Sequence, residues 1–199
     1  MGRAQGKEKA AIFLDRDGTI IELKDYLRSF KDIVLIPTAV EALKIFKKAG
    51  YLLIVTTNQS GVARGYFTED FVREANAKIA DLFSEQGVKI DSFYYCPHHP
   101  DYPKEPEKEI CDCRKPKTGM IMNAMADFPI NLADSWVIGD NISDMEMAIN
   151  AKIKSALVKT GYGKKVISNY PKDLKMPDIV ADNIYQAAKL ITAERGENK

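Results

Sequence analysis

Residues 11–19 read Ala11-Ile12-Phe13-Leu14-Asp15-Arg16-Asp17-Gly18-Thr19, and this stretch decides the fold that we predict. Four apolar residues run directly into acidic residues and a glycine, which is the pattern of a short buried strand that ends in a turn. Strands buried on both faces belong to parallel sheets that are covered by helices. Ligands of such sheets bind beyond the carboxyl ends of the strands, which is where Asp15 and Asp17 lie.

The two acids are two positions apart, so an extended backbone points both side chains the same way. Two neighbouring carboxylates repel each other unless a cation or a shared proton relieves them. This placement predicts a metal site in which one carboxylate is a nucleophile and the other a proton donor. The alternative is an ordinary turn, because Asp and Gly are common turn residues.

Strands and helices alternate along the rest of the chain. We predict further strands over residues 51–57, 90–95, 135–139, 155–159 and 179–181, and helices over 37–50, 68–86, 118–128 and 142–150, with one more helix closing the chain. Residues 20–36 are predicted to be a loop over the site. This order indicates a doubly wound, Rossmann-like α/β fold with a parallel sheet. We expect a single domain over residues 1–199, with a folded core at 10–194 and flexible ends at 1–9 and 195–199.

Charge and hydropathy exclude several classes of function. The formal net charge is +1, which gives no strong field for attracting nucleic acid or an anionic membrane. No apolar run approaches the roughly 18 residues of a membrane span, and the polar start lacks the apolar core of a signal peptide. We therefore expect a cytoplasmic monomer that acts on a small molecule, without nucleic-acid or membrane partners.

The three cysteines all fall within one polar segment, residues 96–113. Together with a histidine they form a ligand set for tetrahedral Zn²⁺: Cys96, His98, Cys111 and Cys113. Four protein ligands leave no open position, so the predicted zinc is structural and orders a loop that has few apolar residues. The alternative is a loop with free cysteines. His99 is predicted to be a solvated neighbour rather than a ligand.

Polar residues also follow the later strands. They are Thr57 and Asn58 after the second strand, Lys115 beyond the third, and Asp140 with Asp144 after the fourth. With Asp15 and Asp17, this series resembles the motifs of the haloacid dehalogenase superfamily of phosphotransferases: DxD, a strand-end Thr, a Lys and GDxxxD. The resemblance spans residues 13–144.

The resemblance implies a role for each of these residues. Asp15 is expected to attack phosphorus and form an aspartyl phosphate, and Asp17 to serve as general acid and base. Mg²⁺ is expected to bind Asp15, Asp140 and the backbone carbonyl of Asp17. Thr57 and Lys115 would hold the phosphoryl oxygens. Asp144 would orient Lys115 or a water bound to the metal.

Within the superfamily, two segments resemble the D-glycero-D-manno-heptose 1,7-bisphosphate phosphatases. They are residues 57–65, TNQSGVARG, and the zinc loop with its flanks, CPHH at 96–99 and CDCRKP at 111–116. This family is capless, removes the 7-phosphate, and acts in heptose synthesis for lipopolysaccharide or surface glycans. The resemblance implies that Asn58, Arg64 and Arg114 bind substrate, with the two arginines on the second phosphate. The alternatives are the related histidinol-phosphate phosphatase domain and a zinc-stabilised nucleic-acid-binding module.

Overall fold

The computed structural model describes residues 7–102 and 111–197. Residues 1–6 and 198–199 of the predicted flexible ends, and residues 103–110 of the predicted zinc loop, lie outside the described residues.

The centre of the fold is a six-stranded sheet in which all neighbouring strands are parallel. Its strands are β1 (Ala11–Leu14), β2 (Leu52–Asn58), β3 (Ser92–Cys96), β4 (Trp136–Gly139), β5 (Lys154–Val158) and β6 (Ile179–Ala181). The spatial order is β3-β2-β1-β4-β5-β6. This is the doubly wound arrangement that the sequence predicted, with β1 and β4 adjacent at the point where the strand order reverses.

The helices that cross between the strands are α1 (Ala39–Lys48), α2 (Glu69–Glu85), α3 (Gly119–Asp127), α4 (Ile142–Ala151) and α5 (Gly163–Ser168). A last helix, α6 (Ile184–Glu197), follows β6. The prediction omitted α5, which has six residues, begins at a glycine and is too short to show a helical apolar period. The last helix extends through residues 195–197, which were expected to belong to a flexible end.

Two hydrophobic layers enclose the sheet. One layer packs alternate residues of the strands against α1, α2 and α6, with Phe46, Ile79 and Ile191 among its buried side chains. The other packs the opposite sheet face against α3 and α4 through residues such as Ile121 and Met147. Covering both faces explains why β1 and β4 are apolar throughout.

Lys9 lies in the segment that was expected to be a flexible arm. Its backbone N–H donates to the Pro129 carbonyl at 2.9 Å, and its carbonyl accepts from the Asn131 N–H at 2.9 Å. The ordered chain therefore begins before β1. Among the described residues, no helix is both long enough and apolar enough to cross a bilayer.

The segments that could carry an inserted cap domain are short. Between β1 and α1, residues 15–38 contain only one turn of 3₁₀ helix, Phe30–Asp32, and α2 fills most of the connection between β2 and β3. Neither connection holds an inserted cap domain, and within residues 7–102 and 111–197 loops surround the carboxyl edge of the sheet.

Candidate active site

Lys115 is the centre of a buried charged cluster at the carboxyl edge of the sheet. Its Nζ atom donates to Asp15 Oδ1 at 2.6 Å, to Asp144 Oδ1 at 2.6 Å and to the carbonyl of Thr56 at 2.9 Å. The three side chains come from the end of β1, the loop before α3 and the first turn of α4. Burial lowers the pKa of Lys115, but the carboxylates of Asp144 and Asp15 outweigh it and raise this pKa above its usual value. The lysine is therefore an ammonium ion.

Asp140 completes the cluster at the end of β4. The backbone N–H of Tyr162 donates to its Oδ2 atom at 2.7 Å. Gly18 and Gly161 both have positive φ and pack so closely that a Cβ on either would collide with the carboxyl group of Asp140. The left-handed turn after β1 and the loop before α5 thus hold this carboxylate from both sides.

Burial disfavours the charged forms of the acids in this cluster. It raises the pKa of Asp15 to about 7 and that of Asp140 to about 8, with neighbouring carboxylates adding to the shift. Asp15, Asp140 and Asp144 each offer an oxygen atom, all within 4.8 Å of one another, to a possible metal ion. When ionised, three carboxylates around one ammonium leave two negative charges, so the site fits a divalent cation with a preference for oxygen ligands.

Asp17 has different surroundings, dominated by two residues that the sequence analysis did not single out. Arg16 Nε donates to its Oδ2 at 3.0 Å and Gln59 Nε2 donates to the same oxygen at 2.9 Å. The hydroxyl of Thr57 also donates to Oδ2, at 3.4 Å. The hydroxyl of Thr57, which was expected to hold a phosphoryl group, therefore contacts Asp17. The sequence signal that could have identified Gln59 is its position two residues after Thr57, because side chains two positions apart in an extended chain point to the same side.

Asn58 fixes the backbone of the lysine rather than its side chain. Its Oδ1 accepts from the Lys115 N–H at 3.0 Å, and its Nδ2 donates to the Lys115 carbonyl at 3.2 Å. These paired bonds connect the end of β2 to the segment that follows Cys113. Asn58, predicted to bind substrate, also lines the cavity described below.

The second predicted cluster is assembled beside β3. Each of Cys96, His98, Cys111 and Cys113 offers a ligand atom, and these atoms lie within 4.8 Å of one another. Cys96 Sγ is 3.7 Å from both Cys111 Sγ and His98 Nδ1. A tetrahedral Zn²⁺ with bonds of roughly 2.3 Å to sulfur needs ligand separations of about 3.8 Å. The set therefore fits zinc in number and chemistry, and the two separations of 3.7 Å match, whereas Cys113 Sγ would have to move away from Cys96 Sγ to bind the same ion.

One thiol of this cluster ionises easily. The hydrogen bond with Cys96 is the largest influence and, with a contribution from His98, lowers the pKa of Cys113 to about 5. The Sγ atoms of Cys113 and Cys96 are 2.8 Å apart. A thiolate is the form that binds metal, so Cys113 is prepared for a cation. The hydrogen bond with Cys113, together with burial, raises the pKa of the Cys96 thiol, which must lose its proton when a cation binds.

A cavity of about 400 Å³ opens above the buried cluster. Its floor includes Asp15, Asp17 and Asp140, and its walls include Lys24, Tyr26 and Arg114. Arg114 is held by a hydrogen bond of 3.0 Å from its NH1 to the His98 carbonyl. A cavity of this size, lined by both acidic and cationic side chains, suits a small polar ligand.

Arg64, predicted to bind substrate, lies elsewhere. Its guanidinium carbon is 4.2 Å from the centre of the Tyr102 ring, and its NH2 is 3.2 Å from His99 Nε2. It does not line the cavity. Arg64 therefore connects the loop after β2 to the segment after β3, and His99 takes part in that contact.

Comparisons with known proteins add to this geometry. A family model described as HAD-hydrolase-like matches residues 112–187. The D-glycero-beta-D-manno-heptose-1,7-bisphosphate 7-phosphatase of Photorhabdus laumondii is 43% identical over 152 residues, which are 76% of this chain and 81% of the relative. The enzyme of the same name from Pasteurella multocida is 41% identical over 184 residues, covering 92% of this chain and 97% of the relative.

A solved structure shows the same arrangement of elements. The D,D-heptose 1,7-bisphosphate phosphatase of B. bronchiseptica, crystallised with magnesium and phosphate, superposes with a TM-score of 0.81 at 28% identity. The match covers 94% of this chain and 99% of that protein. The resemblance inferred from sequence motifs thus extends over nearly the whole fold.

Proposed function

We propose that this chain, which belongs to the family of the D-glycero-D-manno-heptose 1,7-bisphosphate 7-phosphatases, removes the 7-phosphate of this sugar bisphosphate in a Mg²⁺-dependent reaction. The observation that carries the proposal is Lys115 buried between Asp15 and Asp144, with Asp140 beside them. A fixed ammonium next to a buried carboxylate can bring a phosphate dianion to a nucleophile that would otherwise repel it.

Asp15 is the proposed nucleophile. One of its oxygens is held by Lys115, so the carboxylate has a fixed orientation at the floor of the cavity. Its attack on phosphorus would form an aspartyl phosphate, which divides one difficult displacement into two easier steps. Lys115, and Thr57 after turning its hydroxyl from Asp17, would donate to the phosphoryl oxygens as negative charge develops on them.

Asp17 is the proposed general acid and base. It lines the same cavity, two residues after the nucleophile, and its side chain is 21% exposed. A proton from its carboxyl group would pass to the departing sugar oxygen, and the water that attacks the aspartyl phosphate would return a proton to it.

Asp15, Asp140 and the Asp17 carbonyl would hold Mg²⁺, which the excess negative charge of the cluster supports. When bound, the ion would offset the repulsion between the nucleophile and the phosphate and polarise a phosphoryl oxygen. Asp144 is the least suited of the buried acids to this role. It already accepts hydrogen bonds from Lys115 at one oxygen and from the Asn141 N–H at the other.

A structural Zn²⁺ is the ion that we propose for the site, with four ligands: Cys96, His98, Cys111 and Cys113. The argument is the separation of the ligand atoms together with the position of Arg114 and Lys115 directly after Cys113. A closed tetrahedral site would fix the chain at residue 113 and so limit where these two cations can lie. Arg114 would then contact the second phosphate from the cavity wall, and Asn58 would keep the Lys115 backbone in place.

We further propose that the chain acts as a cytoplasmic monomer of one domain, without nucleic acid. The near-neutral charge of the chain supports the absence of a nucleic-acid partner. Three cysteines without disulfide bonds suit a reducing compartment.

A substrate comparison tests the proposed function. We expect kcat/KM in Mg²⁺ to be at least about 100-fold higher for the heptose bisphosphate than for histidinol phosphate, because specificity is set by that ratio. Phosphorus NMR of the product should show the 1-phosphate intact. A preference for histidinol phosphate would overturn the assignment. Absence of any phosphatase activity, together with a salt-dependent mobility shift of DNA or RNA, would favour the nucleic-acid alternative.

A further inference from the structure

Arg16 is a charged side chain almost completely enclosed by the protein. It is 1% exposed and is the largest fully buried side chain among the described residues. A buried guanidinium is costly unless each of its polar edges has a partner. Its NH1 donates to Asn76 Oδ1 at 2.9 Å, and its Nε and NH2 donate to Asp17. Asn76 is itself buried, on the inner face of α2.

We propose that Asn76 and Arg16 are positioning residues that hold Asp17 in the orientation in which its Oδ1 exchanges the proton with substrate. The proposal rests on the proposed function, since it concerns how the general acid of that reaction is set. The chain of contacts joins three parts of the fold: α2 supplies the acceptor, the turn after β1 supplies both Arg16 and Asp17, and the cavity lies beyond Asp17.

The two oxygens of Asp17 have different surroundings. In the part of the chain that the structure describes, Oδ2 accepts from Arg16, from Gln59 and from Thr57, at 3.0, 2.9 and 3.4 Å. Oδ1 accepts only from Arg16 NH2, at 3.2 Å, within those same described residues. A proton on Oδ2 would face the N–H donors of both Arg16 and Gln59, whereas a proton on Oδ1 would meet only Arg16 NH2. The carboxyl proton therefore belongs on Oδ1.

The proton balance follows from this assignment. As Asp15 forms its bond to phosphorus and the bond to the sugar oxygen breaks, the O–H bond at Oδ1 breaks and the proton goes to that oxygen. In the second step a water oxygen bonds to phosphorus, the bond to Asp15 breaks, and the proton that the water loses returns to Oδ1. Oδ2 stays an acceptor throughout.

Asn76 determines whether Arg16 can perform this function. A guanidinium is planar, so a bond at NH1 fixes the plane in which Nε and NH2 reach the two oxygens of Asp17. Without the acceptor on α2, Arg16 can rotate about its side-chain bonds, and Asp17 can turn with it. The first catalytic step then loses its proton donor while the nucleophile and Lys115 remain in place.

Leaving groups separate this role from a merely structural one. A sugar or alkyl oxygen needs a proton to depart, whereas the oxygen of p-nitrophenyl phosphate departs without one. The ratio kcat/KM covers only the steps up to the first phosphoryl transfer, so the return of the proton does not enter it. The experiment compares kcat/KM for glycerol phosphate and p-nitrophenyl phosphate, in Mg²⁺, for the full chain and its variants.

Three substitutions on α2 make the comparison. Asn76→Leu removes the acceptor and keeps the side-chain volume similar, while Asn76→Asp keeps an acceptor at the same position. Ile79→Val is the matched control, because Ile79 is a buried core residue of the same helix outside the chain of contacts. We expect Asn76→Leu to lower kcat/KM at least about tenfold for glycerol phosphate and less than about twofold for p-nitrophenyl phosphate, as loss of a general acid would.

The outcomes are distinct. Asn76→Asp should retain most of the kcat/KM that Asn76→Leu loses, and Ile79→Val should change kcat/KM equally for the two esters, if at all. An equal fall of kcat/KM for both esters in Asn76→Leu, or no fall, would overturn the positioning role and leave the phosphatase assignment intact. A wild-type protein that hydrolyses neither these esters nor the heptose bisphosphate in Mg²⁺ would overturn both proposals. A crystal structure of Asn76→Leu should show Asp17 displaced and Asp15 in place.

Discussion

Asp144 Oδ1 lies 2.6 Å from Lys115 Nζ, although the two residues are 29 positions apart and belong to different elements. The other oxygen of Asp144 accepts the backbone N–H of Asn141, and the side chain of Asn141 in turn caps the start of α4. The first turn of this helix therefore carries an acid that is fixed at one oxygen and orients a buried lysine with the other. Of the two roles expected for Asp144, its position favours orienting Lys115.

Asp144→Asn should separate orientation from metal binding. The amide keeps the shape but loses the charge that faces Lys115, so we expect kcat to fall by roughly 10²-fold as the lysine shifts from its position. The Mg²⁺ dependence should stay close to that of the wild type. Glu146→Gln removes the same charge from the same helix and serves as control. A variant that loses Mg²⁺ affinity at unchanged saturating kcat would instead indicate that Asp144 is a metal ligand.

Asp15→Asn should abolish the covalent intermediate. An amide oxygen is a poor nucleophile, and we expect a loss of kcat of at least about 10³-fold. In the wild type, rapid acid quenching during turnover should trap a protein whose mass is increased by one phosphoryl group, located by peptide mass spectrometry at residues 11–19. The Asn variant should lack this adduct. Normal turnover by the variant would remove Asp15 from the role of nucleophile.

Asp178 should make stability depend on pH in the acid range. Burial would raise the pKa of this carboxyl group, but the Ser155 N–H and Lys175 outweigh it and hold the pKa below its usual value. A depressed pKa in the folded state means that the carboxylate stabilises the protein above the ordinary pKa of about 3.9, and that this stability is lost as pH falls through the lower folded value.

The test is Asp178→Asn, followed by urea unfolding at several pH values. At pH 7 we expect the variant to be less stable by about 0.5 kcal/mol, because Asp178 is exposed and solvent screens its contacts with Ser155 and Lys175. The difference from the wild type should shrink as pH falls below 4. Asp173→Asn, an exposed acid in the same connection, is the control. A difference that grows at low pH would contradict the direction of the shift.

The parts of the site that depend on strand ends could be predicted from the sequence. Asp15 and Asp17 follow an apolar run, and Asp140 follows another, so a parallel sheet brings them to one edge. Lys115 carries no such signal, because it follows a polar loop, and only the resemblance to a known family pointed to it. Its position depends on the paired bonds to the Asn58 side chain, which local sequence does not reveal.

The residues that sequence reasoning missed are held by tertiary contacts. Arg16 reads as a polar residue in a turn, yet it is buried because Asn76, 60 positions away on α2, accepts its NH1. Arg64 shows the converse case. A cation at the end of a small polar loop suggests a side chain that is free to bind phosphate, but stacking on Tyr102 directs the guanidinium away from the cavity. Local spacing carries no information about either partner.

The zinc proposal predicts different outcomes for two adjacent histidines. Purified wild-type protein should contain about one zinc per chain by elemental analysis, as a four-ligand structural site would. His98→Ala should lose zinc and melt at a lower temperature, and its kcat should fall because Arg114 and Lys115 follow directly after Cys113. His99→Ala, which removes the contact to Arg64, should retain zinc. Equal zinc content in the two variants would exclude His98 as a ligand.

Arg114 and Arg64 should differ in their effect on the second phosphate of the substrate. Arg114 lines the cavity, whereas Arg64 packs on Tyr102 outside it. We expect Arg114→Ala to raise KM for the heptose bisphosphate at least about tenfold, as loss of a hydrogen bond between charged groups would. The KM of p-nitrophenyl phosphate, which lacks a second phosphate, should change much less. Arg64→Ala should affect both esters to a similar degree, because it alters the loops rather than a phosphate contact. If KM for the bisphosphate rose selectively in Arg64→Ala and not in Arg114→Ala, Arg64 rather than Arg114 would be the residue that binds the second phosphate.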